Sequence, residues 1–187
     1  MTKRTFAQSL KSEESVKRNY EEIAMQTFLI SGNFYEIAKT LDPRRANKQI
    51  IECYQIMRIM LRKVGFIDDG KKGWMNHPVL KLWQDKDGKF YFFQLYYYTC
   101  FMLKTYKERY DKEHSMVQKI EELYQIALEC HDFGNSIFQV RWPKEVYKAM
   151  RQNLIRKDKE YYRKKFPNEK GECQGYVWDN LVPIRLF

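Results

Sequence analysis

Between Arg44 and Glu52 the chain sets three cations, Arg44, Arg45 and Lys48, ahead of a single carboxylate. Lys48 precedes Glu52 by four residues, Gln49 by three and Arg45 by seven, so on a helix all four rise from one face. An enzyme working on DNA sugars wants such a group. Cations hold phosphates, and a carboxylate stabilises positive charge gathering on a sugar as its base departs. The same spacing also describes a solvated helix face whose Lys–Glu pair, in the less favourable order, is worth roughly 0.3 kcal/mol. Spacing alone leaves both readings standing.

Two further groups carry candidate chemistry. Trp74, Asn76 and His77 precede Pro78, which opens a short helix to Trp83, so an anion could meet free backbone N–H groups there. As a lone imidazole, His77 equally fits a hydrogen-bonded structural role. Arg156, Lys157, Lys159, Arg163, Lys164 and Lys165, interleaved with Tyr161 and Tyr162, form either a solvated face or a surface that tracks phosphates. The run Tyr96-Tyr97-Tyr98 points in three directions on a helix, which makes most of it core or helix interface rather than a stacking platform. Cys53, Cys100, Cys130 and Cys173 are widely spaced, and the adjacent Cys130 and His131 point about 100° apart on a helix. We therefore expect reduced thiols, no disulfide framework and no metal site.

The elements that must position these groups read as helices. Residues 1–24 form a charged leader, in which Ser12 can cap a short helix through Val16, Tyr20 and Ile23. Met25 to Ile30 reads as an extended segment or short strand, followed by a turn at Ser31-Gly32-Asn33 and a helix from Phe34 to Thr40. Asp42 caps and Pro43 opens a helix to about Lys63 that stops at Gly65. Its apolar face is Ala46, Ile50, Cys53, Met57, Met60 and Leu61, and its polar face Arg45, Lys48, Gln49, Glu52 and Gln55. A polar loop spans Asp68 to Gly73, and Asp85-Lys86-Asp87-Gly88 marks a turn. Helices are then expected at Phe90–Tyr110, at Met116 to about His131 with Ser115 as cap and Gly134-Asn135 as breaker, and from Pro143 onward. A turn at Asp158 precedes a last helix to Phe166. Residues 167–187 read as an irregular tail anchored by Tyr176, Val177, Trp178, Leu181 and Phe187.

The predicted fold class is all-α, a compact multi-helix array forming one domain over 25–187, with the charged leader and irregular tail at its ends. At 187 residues and 44% hydrophobic the chain is long and apolar enough for a sizeable core, and 8 Gly with 5 Pro argue against a turn-rich β-sandwich. Its apolar runs are too short and interrupted for a transmembrane helix, and the N-terminus lacks the apolar segment of a secretory signal. A net charge of +10 raises the case for a polyanionic partner, although biased base composition also enriches Lys, Asn, Ile and Tyr.

Four segments in order resemble one family: Met25-Gln26-Thr27-Phe28-Leu29, the stretch from Asp42 to Glu52, Gly73-Trp74-x-Asn76-His77-Pro78 with Trp83, and Leu154-Ile155-Arg156-Lys157-Asp158-x-Glu160-x-Tyr162. It is the pyrimidine-dimer DNA glycosylase family, in a bacterial and viral branch distantly similar to phage endonuclease V, and the resemblance covers roughly residues 25–180. In the phage enzyme the α-amino group of the residue after the initiator Met attacks the sugar C1′ to form an imine, and a helix-borne Glu supports this and the strand scission that follows. The resemblance implies Glu52 as that carboxylate, Arg44, Arg45 and Lys48 as phosphate-binding cations, and Trp74, Asn76, His77, Arg156, Lys157 and Arg163 as further DNA contacts. The partner would be double-stranded DNA, damaged or kinked, with no cofactor, no metal and no membrane.

The chain departs from the pattern at its start, because Met25-Gln26-Thr27 follows 24 residues and a peptide nitrogen there is no nucleophile. Loss of Met1 would expose a Thr2 amine. Alternatively, Lys48 would serve if burial or cationic neighbours lowered its pKa below the usual ~10.4. A catalytically silent relative is equally compatible, acting as a structural or interaction protein with protein assembly partners, for example in a DNA-containing particle. A general RNA-binding protein rests on charge alone. The expected location is intracellular, in cytoplasm or nucleus, or in a virion if the source is viral.

Overall fold

The computed structural model describes residues 27–131, 133, 140–170 and 184–185. The leader with its Ser12 helix, Thr2, Met25, Gln26, the Gly134-Asn135 break, Cys173 and the tail anchors lie outside the described residues.

Among the described residues six α-helices and one 3₁₀ turn follow in order, and local chemistry accounts for their ends. Helix α1 (Phe34–Thr40) begins where the Asn33 side chain accepts the Glu36 amide at 3.1 Å, and its last carbonyls, of Ala38 and Lys39, accept from Arg109. Helix α2 (Pro43–Lys63) starts as expected, with Asp42 accepting the Arg45 amide and Pro43 in the first turn. Just beyond its end Gly65 takes φ +81°, a left-handed conformation that glycine adopts without steric cost. The expected short helix at Pro78–Trp83 is a 3₁₀ turn. At the 85–88 turn, Asp85 accepts the amides of Asp87 and Lys89, and Gln84 bridges to Phe90. That bridge holds Phe90 out of the next helix, so α3 runs Phe92–Tyr110 rather than from Phe90.

Helix α4 (Val117–Leu128) corrects a second expectation. Ser115 is exposed and does not cap it. Instead the buried His114 ring accepts the Met116 amide on Nδ1 and donates from Nε2 to Asn47, which ties this corner to α2. Helix α5 (Lys144–Lys157) and helix α6 (Lys159–Lys165) meet at Asp158, whose extended backbone breaks the run and whose side chain caps α6 through the Tyr161 amide. Val140–Arg141 and Ile184–Arg185 form a two-residue antiparallel ladder, so the tail is not irregular throughout, while the fold class remains all-α.

Helix α2 is central, packing against α3, α4 and the 3₁₀ turn, with α1 laid on α3. Its six expected apolar residues are all buried. Above it the buried segment Thr27-Phe28-Leu29-Ile30 forms no strand and finds its partners elsewhere. Trp83 Nε1 donates to the Thr27 hydroxyl, Tyr98 to the Phe28 carbonyl, and Arg151 of α5 to the Ile30 carbonyl. An aromatic core locks these layers, with Trp83 and Trp142 edge to face at 5.0 Å and the Trp142 indole N–H bonded to the Leu82 carbonyl. The tyrosine run splits as expected, with Tyr98 buried, Tyr96 half-buried and Tyr97 exposed. Among the described residues no helix is long and apolar enough to cross a membrane, and Cys53, Cys100 and Cys130 are free thiols.

Candidate functional site

Glu52 is drawn into the protein from α2 and is only 5% exposed. Gln49, one turn earlier, is fully buried. Both belong to the face that the sequence marks as polar, and their burial removes the solvated-face reading for these two side chains. The reason is a backbone need: the Phe28 N–H has no ladder partner and donates to Gln49 Oε1 at 2.7 Å, drawing the amide inward. The Gln49 Nε2 group in turn lies 3.5 Å from Cys53 Sγ. Burial pushes the Cys53 thiol up to about 12, with the Glu52 charge adding to the effect, so this sulfur is an inert neighbour rather than a thiolate. Tyr98 is raised by burial first and then by Cys53 and Glu52.

A buried carboxylate is costly without a counter-charge. Lys48 Nζ lies 3.7 Å from Glu52 Oε1 while its side chain is 42% exposed, so it links the buried carboxylate to solvent. Arg44, one turn before Lys48, is exposed. The ridge Arg44–Lys48–Glu52 therefore descends from water into the protein. This geometry supplies a desolvated carboxylate beside a partly exposed ammonium, whereas a solvated helix face would leave Glu52 in water.

Arg45 does a different job. It pairs with Asp42 at 2.7 Å, lies 3.8 Å from Asp158, and sits over the Tyr162 ring at 5.3 Å. Tyr162 donates its hydroxyl to Asp42 Oδ2 and accepts the Asp42 amide. Burial pushes the Asp42 carboxyl up, but the bonds from Tyr162 and Arg45 outweigh it and hold the group below its ordinary value. This clasp joins residues 120 apart in sequence and sets the first turn of α2 against the α5–α6 junction. Arg44 and Lys48 lie on the helix that the clasp holds at one side, and Arg156 and Lys157, which end α5, and Arg163 on α6 lie on the helices it holds at the other. Arg156 and Arg163 are exposed and Lys157 is half-buried, and one arm of Arg163 donates to the Glu169 carbonyl.

Trp74, Asn76 and His77 lie on the loop before the 3₁₀ turn. The anion site expected there is not built, because His77 Nδ1 accepts the Val79 N–H at 3.2 Å and the element is six residues long. His77 is half-buried, and burial lowers its pKa and favours the neutral ring. Its ring rests 5.0 Å from the Trp74 indole. Trp74 itself is 44% exposed and holds φ +66°, a left-handed conformation that costs a bulky residue about 1–3 kcal/mol. Asn76 is exposed.

Sequence reasoning missed the burial of Gln49 and its bond to the Phe28 amide, Cys53 as a neighbour of Glu52, and the Asp42–Tyr162 bond. A signal for the first was present: Gln49, Cys53, Ile56 and Met60 recur at helical spacing, so Gln49 shares a stripe with core residues. Among the described residues no group of three or more His, Cys, Asp or Glu is placed to hold a metal.

A family model described as pyrimidine dimer DNA glycosylase matches residues 25–118, which run from just before the buried 27–30 segment to the start of α4. The match therefore contains Glu52, Lys48 and the Trp74–His77 loop and stops short of α5 and α6, where the resemblance read from the sequence had extended to about residue 180. No curated protein and no solved structure matches the chain.

Proposed function

The chain belongs to the pyrimidine dimer DNA glycosylase family, and from that premise we propose that it binds damaged or kinked duplex DNA and cleaves the N-glycosidic bond of a damaged pyrimidine, with Glu52 as the carboxylate of the reaction. In the proposed step an amine lone pair bonds to the sugar C1′ as the C1′–N bond breaks, and the base leaves with that electron pair and takes up a proton. Glu52 stabilises the positive charge that develops on the sugar. Opening of the sugar ring turns the adduct into an imine, and elimination across C2′–C3′ then breaks the strand. The amine is a Thr2 α-amino group exposed by loss of Met1, or Lys48, which stands beside the carboxylate. Arg44, Lys48, Arg156, Lys157 and Arg163 would hold phosphates, with Arg45 bracing them through the clasp, while Trp74, Asn76 and His77 would face the displaced nucleotide. The chemistry needs no cofactor, and it places the protein with intracellular DNA.

The observation that carries this reading is the burial of Glu52 beneath a cationic ridge inside the family-matched span. Borohydride trapping on abasic and ultraviolet-damaged duplexes tests it. The wild type is expected to give a covalent adduct whose peptide map locates the amine at Thr2 or Lys48, and Glu52→Gln is expected to give little or none. No adduct from the wild type would favour a second reading, a catalytically silent relative serving as a structural or interaction protein. That reading is supported by the Phe28 amide and Thr27 hydroxyl, both already bonded within the chain, so that the family-like start here is interior peptide. A stoichiometric protein complex without DNA affinity would mark it.

A further inference from the structure

Trp74 leaves much of its indole in water on a backbone that disfavours any side chain, although the glycine beside it, Gly73, would tolerate the same geometry. The loop is held so that it cannot relax. Asp69 accepts from both Arg58 and Arg62 of α2, the Arg58 guanidinium lies over the Tyr54 ring, and Asp69 also accepts the Lys71 amide. On the other side the His77 amide donates to the Trp74 carbonyl at 3.0 Å, and the His77 ring backs the indole. Beyond His77 the 3₁₀ turn is buried, and its last residue, Trp83, bonds to Thr27 above α2. The indole therefore stands on a support fixed at both ends to the elements that carry Glu52. Lys71 and Lys72, both exposed, precede it in the loop.

An exposed, backed aromatic on a tethered loop that also carries two exposed cations fits one kind of partner, a nucleic acid whose bases have been unstacked. We propose that Trp74 is the stacking wedge that occupies an opened base step in duplex DNA, with Lys71 and Lys72 seated on the neighbouring phosphates. This deepens the glycosylase reading and rests on it. The wedge would keep the damaged nucleotide out of the helix while the bond to its sugar is attacked.

The test compares full-length wild type, Trp74→Phe, Trp74→Ala and Trp74→Gly on two duplexes that differ only in a central abasic site. Anisotropy gives the affinity, and 2-aminopurine beside the site reports unstacking. The wild type is expected to prefer the abasic duplex and to raise the 2-aminopurine signal. Trp74→Ala and Trp74→Gly should lose that preference by about tenfold or more and fail to raise the signal, and Trp74→Phe should keep much of both. Trp74→Gly should also unfold at the same or a higher temperature than wild type, since glycine relieves the left-handed backbone, which separates loss of stacking from loss of fold. An unchanged preference in Trp74→Ala and Trp74→Gly would overturn the wedge while leaving the glycosylase reading in place. Failure of the wild type to bind either duplex would overturn both.

Discussion

At the residue scale the decisive feature is that Glu52 and Gln49 are buried on a helix whose composition suggested they were wet. The Gln49 amide oxygen is met by a backbone N–H, and one oxygen of the Glu52 carboxylate lies 3.7 Å from a half-exposed ammonium. His114 makes a separate prediction. Burial lowers its pKa from the ordinary 6.5, as it does for His77, so the unfolded chain takes up these protons before the folded one. Stability should be fully present above about pH 6.5 and decline as the pH falls below it, which urea unfolding at pH 7.5 and 5.5 measures. His114→Gln should flatten part of that decline, and an undiminished decline in the variant would contradict the assignment. The carboxylate was legible in the sequence, as a Glu three and four residues from Gln and Lys. Its burial was not, because burial of this face is set by tertiary contacts such as the Phe28 amide, which draws in Gln49 from 21 residues earlier.

At the scale of elements, caps and breakers account for most of what sequence conveys. Asp42-Pro43 sets the start of α2, Gly65 follows its end, and Asp158 separates α5 from α6, all through local bonds visible in residue type. The start of α4 differs from expectation because the group that accepts the Met116 amide is an imidazole held in place by a distant Asn, a tertiary contact no local pattern encodes. The clasp between Asp42 and Tyr162 is likewise long-range, and it fixes where the C-terminal helices sit against α2. Tyr162→Phe removes a buried hydroxyl bonded to a carboxylate and orphans the Asp42 amide, so it should cost about 1.5–3 kcal/mol. A denaturant midpoint indistinguishable from wild type would show that the clasp does not hold α6.

For the whole molecule, part of the excess positive charge lies on the two elements that the clasp joins. These basic stretches are far apart in sequence, and the second lies beyond the family-matched span. If both contact the same duplex, Arg44→Ala and Arg163→Ala should each lower the slope of log affinity against log salt by about 1, and the double variant by about 2, alike for every DNA sequence. A double variant no lower than either single one would place the stretches on different partners. The central claim, that this all-α basic protein removes damaged pyrimidines by means of Glu52, is tested most directly by counting alkali-labile sites in ultraviolet-irradiated duplex DNA after incubation with the protein. The wild type is expected to generate such sites at pyrimidine dimers and Glu52→Gln to generate almost none. Absence of sites with the wild type, or equal numbers with Glu52→Gln, would contradict it.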